Sequence, residues 1–230
     1  VDKLMKSYYI NLKSRKDRLQ SFSNQFEKVR DFFSDGCERI EAIKFKAQNV
    51  YYNKAACSAS HAKAIRRAVR DGHSKFTIFE DDVVFDESKT KDFISSYNSL
   101  PEDFDLLYWG CVLQQSGSVY IPNPEKKSIE DYSDNLYKVN SAGCAHAITY
   151  SLEFAKLLSE KLFPKTYDVN TWMEWQKNNI CYDHWLKFQG FNHNFFCPKF
   201  IYASQYDNYS DIDEKFSQRD SVIKKSFLDI

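Results

Sequence analysis

The run Lys75-Phe76-Thr77-Ile78-Phe79 leads without a break into Glu80-Asp81-Asp82, and Val83-Val84-Phe85 follows. A β-branched and aromatic stretch of this kind reads as a buried strand. The acids crowd its C-terminal end. Similar runs recur along the chain. Leu4 to Leu12 reads as a first strand, and from Ser14 the apolar residues Leu19, Phe22, Phe26 and Val29 return every three or four positions, which predicts a helix capped by Ser14. Residues 38–43 alternate polar and apolar as a second strand would, 44–55 looks irregular, and Ser58 or Ser60 caps a helix that stops near Gly72. Beyond the acids the pattern gives a helix over 87–98, a strand over 104–110 and a polar loop over 114–135. A strand over 142–150, a helix over 152–162 capped by Ser151 and a short aromatic helix over 181–188 complete it. Strand and helix alternate, which predicts an α/β fold with a mostly parallel central sheet flanked by helices.

At 230 residues the chain suits one domain. Lys plus Arg and Asp plus Glu number 32 each, so no net field recruits nucleic acid or an anionic membrane. No apolar run approaches the roughly 20 residues of a membrane helix, and Val1 to Ser7 lacks the apolar stretch of an export signal. A cytoplasmic location is expected, bacterial or, for a viral protein, that of the host; a segment removed ahead of Val1 is compatible with this start. The six cysteines form no CxxC pair, so free thiols are expected and a structural zinc site is not. Aromatic residues reach 17%, enough for a ring-rich core and for a site that stacks a base or sugar; Trp172, Trp175 and Trp185 could line such a wall.

Ligands of open α/β sheets bind beyond the carboxyl ends of the strands, where the acids after Phe79 stand. Glu80 and Asp82 are two apart, so in extended chain both carboxylates face one way and can share a hard divalent cation; the bland alternative is a solvated acidic turn. Asn11, Ser14, Arg15 and Arg18 follow the first strand, where they could read a nucleotide or simply face solvent. Ser60-His61 offers a ribose or anion contact, or else a cap and a packed imidazole. Asp183 leads a short helix and could take a proton from an acceptor hydroxyl, or merely sit well at a helix start. His184 and His193 could add metal ligands. The basic residues Lys63, Arg66, Arg67 and Arg70 read as a solvated face.

Taken in order, Tyr9-Ile10-Asn11-Leu12, Arg15, Asp17 and Arg18, then Cys57, Ser60 and His61, then Glu80-Asp81-Asp82, resemble glycosyltransferase family 25, the lipooligosaccharide and collagen galactosyltransferase-like family. Asp105 to Gly110, Ala142-Gly143 through Ala155, Asp183, Ser204-Gln205 and Ser210-Asp211-Ile212 fit the same family, so the resemblance covers about residues 5–212. It implies a GT-A fold, a UDP-sugar donor, Mn²⁺ held by the acidic motif and inversion at the anomeric carbon. By position it implies that Asn11, Arg15, Arg18, Ser60, His61 and Asp81 serve the nucleotide-sugar. The triplet Glu80, Asp81 and Asp82 would serve donor and metal, which two of its acids coordinate staying open; the pair expected here is Glu80 and Asp82, with Asp183, read from its own position at a helix start, as the catalytic base. The expected division is a nucleotide-binding half over about 1–112, an acceptor half over 113–212 and a tail over 213–230. The partners would be a UDP-sugar and a glycan or glycoprotein acceptor; the alternative is a non-catalytic saccharide- or protein-binding member of the fold. One departure stands out. The family usually carries glycine before the cysteine of its second motif, and this chain has Ala56, whose methyl would narrow a turn there.

Overall fold

The computed structural model describes residues 5–46, 49–210, 215–217 and 219–228. The first half contains β1 (Met5–Asn11), α1 (Lys16–Glu27), β2 (Phe33–Glu41), α2 (Val50–Asp71), β3 (Lys75–Glu80), β4 (Val83–Phe85), α3 (Thr90–Asn98), β5 (Leu106–Tyr108) and β6 (Val112–Leu113). The second half contains β7 (Ile129–Asp131), β8 (Leu136–Val139), β9 (Ala142–Gly143), β10 (Ala147–Ser151), α4 (Leu152–Leu157), α5 (Val169–Asn179) and α6 (Tyr182–Leu186). It closes with β11 (Phe195–Pro198), β12 (Ala203–Gln205), β13 (Asn208–Ser210), β14 (Lys215–Ser217) and α7 (Arg219–Leu228).

Eight strands form one sheet in the order β2-β1-β3-β10-β5-β11-β8-β7. β2, β1 and β3 are parallel, β10 runs against both β3 and β5, and β11 is parallel to β5. β8 opposes β11 and β7 opposes β8, so six of the eight strands share one direction and β10 and β8 reverse it. The expected α/β sheet is present, with β10 inserted backwards at its centre. From β1 the chain crosses to β2 on one side and returns as β3 on the other. That reversal is a topological switch point, and the crevice it opens lies between the C-terminal ends of β1 and β3.

Strand periodicity divides the core. Tyr8, Ile10, Phe76, Ile78, Ile148 and Tyr150 face α2 and α5, while Tyr9, Phe79, Leu107 and Trp109 face α1 and α3. On α2 the contact face is made of Ala55, Ala59, Ala62 and Ala68, all buried, so the helix lies close against the sheet. The opposite layer is a ring cluster centred on Trp109, whose indole lies 4.3 Å from Phe93, 5.2 Å from Phe79 and 6.1 Å from Phe33, centroid to centroid. Its N–H donates to Thr149 Oγ1 (2.8 Å), which satisfies the one polar atom a buried tryptophan carries. The aromatic excess is therefore largely core. Trp172 and Trp175 belong there too: both are buried, their N–H groups donate to the carbonyls of Thr166 and Leu162, and Trp185 packs against the same cluster. The expected sugar-stacking wall is interior.

Several boundaries differ from the sequence reading. The first helix begins at Lys16 with Arg15 at its N-cap and no side-chain cap; the Arg15 N–H turns back to the Leu12 carbonyl (2.9 Å). α2 begins at Val50, eight residues ahead of Ser58. Asn49 accepts from the N–H groups of Tyr51 and Tyr52, whereas Ser58 and Ser60 donate to carbonyls four residues back, inside the helix. Ala56 is consequently helix interior, and no turn exists there for its methyl to narrow. Ser151 does cap α4, accepting from the Phe154 N–H, and Gly72 ends α2 at φ +75°, in the left-handed region glycine favours. α5, capped by Asp168, and β11 were not expected. The basic residues of α2 are partly spent on protein. Arg66 donates to the carbonyls of Phe163 and Pro164, and Arg67 pairs with Glu38 and Asp71.

Gly110 holds the sheet to the strand pair β4–β12. The Trp109 carbonyl accepts from the N–H groups of both Tyr202 and Ala203, and a Cβ on Gly110 would overlap the Ala203 carbonyl oxygen. Gly110→Ala should cost about 2–3 kcal/mol, because backbone rather than a flexible side chain must give way. Urea midpoints at unchanged slope measure this; a loss below about 0.5 kcal/mol would contradict the close approach.

Candidate active site

The crevice between β1 and β3 is where the predicted residues meet. Asn11 ends β1 and Glu80 ends β3, and the register pairs Ile10 with Glu80, so Asn11 lies level with Asp81. Asn11 Nδ2 donates to Asp81 Oδ2 (2.7 Å) and to the Arg15 carbonyl (3.2 Å), while its own Oδ1 accepts from Arg39 Nε (3.0 Å). Arg18 reaches in from the first turn of α1. Its Nη1 lies 3.0 Å from Asp81 Oδ1 and 3.3 Å from Asp82 Oδ2, with only 12% of the side chain exposed.

Glu80 and Asp82 meet on the other side. Gln205 Nε2, delivered by β12, donates to Glu80 Oε2 (3.0 Å) and to Asp82 Oδ1 (3.1 Å). Two carboxylate oxygens thus share one donor, the Gln205 side-chain nitrogen. The remaining Glu80 oxygen, Oε1, lies 2.9 Å from His61 Nε2. β12 is fixed by pairing with β4 and by the Tyr206 N–H, which donates to the Asp82 carbonyl (3.0 Å).

These contacts set the electrostatics. Burial first, then the neighbouring Asp82, push the Asp81 carboxyl up to about 6, against the opposing pull of Arg18 and Asn11. Burial and then Glu80 raise Asp82 as well, while Arg18 and Gln205 pull it back. For Arg18 burial works downward, but Asp82 and Asp81 prevail and hold the guanidinium firmly cationic. The cluster carries more negative charge than its partners neutralise, which is the condition for binding a cation.

α6 joins the site through α2. The Tyr182 N–H donates to Ser58 Oγ (3.0 Å), and the Tyr182 ring lies 5.3 Å from His61. Asp183 is thereby placed so that its charge and that of Glu80 both act on the Cys57 thiol, which burial, then Glu80 and Asp183, hold well above its ordinary range. Asp183 Oδ1 accepts from Cys181 Sγ (2.8 Å). Tyr120, from the loop over 114–128, bonds His184 Nδ1 (2.8 Å), and its ring lies 5.1 Å from Phe188 and 4.6 Å from Lys187 Nζ. Burial and then Lys187 lower His184, so it is neutral at pH 7.

Of the expected site residues, Asn11, Arg18, His61, Glu80, Asp81 and Asp82 are in mutual contact, with Asp183 at the adjoining α6. Arg15 forks onto Asp17 (2.7 and 2.9 Å) and contributes its carbonyl to Asn11. Ser60 is 2% exposed; its hydroxyl donates to the Ala56 carbonyl (2.7 Å) and accepts from the Ile43 N–H (2.8 Å), so it secures the strand leaving β2. His193 sits at the opposite end of the sheet beside Asp105, 3.4 Å away. Asp211 and Ile212 lie outside the described residues. Gln205, Arg39 and Cys57 were not anticipated as neighbours of the acids. Only Cys57 left a usable signal, its four-residue spacing from His61 on one helical face. All six cysteines are thiols, as expected.

The family model for glycosyltransferase family 25 (LPS biosynthesis protein) matches residues 5–173. This chain belongs to glycosyltransferase family 25. No curated protein matches the sequence. Among solved structures it is similar to the mannose-1-phosphate geranyltransferase of Thermus thermophilus, at 8% identity and TM-score 0.45 over 85% of this chain and 73% of that one. A glycosyltransferase involved in glycosylating the major capsid of PBCV-1 matches at 8% identity and TM-score 0.43, over 98% and 99% of the two chains. A STIV protein matches at 13% identity and TM-score 0.43, over 92% of each. Among the described residues no helix is long and apolar enough to cross a membrane.

The raised Asp81 carboxyl gives a pH-dependent stability. Between about pH 3.8 and 6 the native state keeps a proton that the unfolded chain has lost, so stability falls as pH rises through that window and the deficit is complete above about 6. Asp81→Asn should therefore stabilise the protein in chelator at pH 7.5, by up to about 3 kcal/mol, with the gain shrinking toward pH 4. Thermal melts of both proteins across this range provide the check; a destabilised variant at pH 7.5 would show that the ion pair with Arg18 outweighs burial.

Proposed function

We propose that this family 25 member is an inverting, metal-dependent hexosyltransferase that moves galactose or glucose from a UDP-sugar to a hydroxyl of a glycan or glycoprotein acceptor. The observation that carries the reading is that Glu80 and Asp82 each turn an oxygen to the same donor, the Gln205 side chain, flanked by Arg18 and Asn11 at a switch point of the sheet, so both carboxylates lie within reach of one ion. This donor set is oxygen-rich and suits a hard divalent cation such as Mn²⁺. Glu80 and Asp82 would hold that ion, which when bound neutralises the charge developing on a departing diphosphate.

The protein's own groups account for the remaining tasks. Arg18 adds a fixed positive charge beside the acids, and because two carboxylates already orient it, little reorganisation is needed as phosphate charge develops. Asn11 and Arg39 hold Asp81 and the end of β1 in place for the nucleoside. Asp183, in the first turn of α6, would take the proton of the acceptor hydroxyl as that oxygen attacks the anomeric carbon. The Tyr120–His184 contact fastens the loop over 114–128 beside this base, where it would limit the access of water to the donor.

Thermal unfolding with UDP and UDP-sugars, with and without Mn²⁺, tests the donor half of this reading. Saturating ligand at about 100 times its dissociation constant should add about 2.7 kcal/mol, a shift of several degrees, only when metal is present. Asp82→Asn should lose that shift. Asp183→Asn should keep it and lose about 10²–10⁴-fold in transfer. Transfer persisting in Asp183→Asn would remove the base assignment, and a wild-type protein that binds no nucleotide would instead favour a non-catalytic saccharide- or protein-binding role.

A further inference from the structure

The two oxygens of Glu80 face different chemistry. Oε2 meets Gln205, whose side-chain nitrogen also reaches Asp82. Oε1 meets His61, and the ligand atoms of Cys57, His61 and Glu80 all lie within 4.8 Å of one another. Cys57 and His61 are one turn apart on α2, so the helix itself fixes their relative positions, and β3 supplies the carboxylate. His61 is 1% exposed. Its Nε2 is engaged by Glu80, and its Nδ1 has no hydrogen-bond partner among the described residues. Nε2 is the ring nitrogen turned toward Glu80, so it is the one that can join the thiol and the carboxylate on a common ion.

We propose that Cys57, His61 and Glu80 form a second cation site, selective for a borderline transition metal of the Zn²⁺ or Co²⁺ class, with Glu80 bridging it to the oxygen-only pair Glu80–Asp82. Sulfur and nitrogen donors favour such ions over Mg²⁺ or Mn²⁺. Metal–ligand bonds of about 2.0–2.3 Å in tetrahedral geometry put ligand atoms about 3.3–3.6 Å apart, so modest side-chain adjustment from the present arrangement suffices. Three protein ligands leave a fourth position for water or substrate. The site goes beyond the sugar-transfer reading and stands independently of it, since its donors are the side chains themselves.

Anaerobic titration of the metal-free protein with Co²⁺, followed by displacement with Zn²⁺, tests the proposal. Wild type should take up one equivalent that carries a near-ultraviolet sulfur-to-cobalt charge-transfer band and visible bands of a low-coordinate ion, any Co²⁺ at the oxygen-only pair lacking the sulfur band. Cys57→Ser should lose the charge-transfer band, and His61→Ala should weaken binding by at least about 10-fold. Cys181→Ser should retain the band, which separates this site from the neighbouring group Cys181, Asp183 and His184. Asp82→Asn should also retain it while losing the Mn²⁺-dependent UDP shift, so the two readings fail separately. Absence of a thiolate band in wild type overturns the proposal without recourse to any variant. A band that survives in folded Cys57→Ser, or disappears in folded Cys181→Ser or Asp82→Asn, overturns the assignment to these residues.

Discussion

Three consecutive carboxylates at the buried end of a central strand repel one another, and much of the surrounding structure serves to hold them. Strand geometry makes the first separation. Glu80 and Asp82 turn toward Gln205, while Asp81 turns toward Asn11. Arg18 then spans Asp81 and Asp82, and His61 takes the second oxygen of Glu80. Every partner comes from a different element: β1, α1, α2 and β12. Packing those four elements around β3 is what makes the acids tolerable, and even so Asp81 is left with a carboxyl raised to about 6. Carboxyls perturbed in this way cluster at functional sites.

The ring cluster on one face of the sheet supports the arrangement from below. Trp109 follows β5 directly, and its backbone carbonyl receives both N–H groups that lead β12 toward the acids. Its indole meanwhile packs on Phe79, the residue immediately before Glu80. The same tryptophan therefore fixes the strand carrying the carboxylates and the strand carrying Gln205. A composition rich in large rings, with few glycines, suits this role: stiff aromatic side chains with two torsions each can locate strand ends with little loss of side-chain entropy.

What the sequence revealed, and what it hid, follows from the range of the interactions. The acids, the strand before them, Asn11 at the end of β1 and the Gly72 stop are local signals, and each is present in the structure. Ser58 and Ser60 misled because serine is both a good cap and a tolerable helix residue that bonds back to carbonyls four positions earlier; Asn49, in a stretch that looked irregular, made the better cap. The tryptophans of α5 looked like a saccharide platform because periodicity does not reveal which neighbour covers a ring. Gln205 reaches the acids from more than 120 residues away, through the pairing of two three-residue strands too short to leave a pattern. The insertion of β10 between β3 and β5 was equally silent, since a buried antiparallel strand and a buried parallel one have the same composition.

α2 is where these threads join. Because it starts at Val50, residues 57–61 lie in its interior as one rigid turn and a little more, and their side chains leave it toward separate neighbours. Ser58 accepts from the backbone of Tyr182 at the head of α6, Ser60 accepts from Ile43 beyond β2, and His61 meets Glu80. The alanines beneath them keep the helix tight against the sheet, so these three attachments cannot adjust independently. The position of Asp183 is consequently referred to the same body that positions Glu80, although the two acids are about a hundred residues apart in sequence. A single-displacement transfer needs its base and its leaving-group site held at fixed separation through the reaction. Under the proposed transfer, with Asp183 as base, that separation would be set by one alanine-faced helix rather than by the loops that surround the crevice.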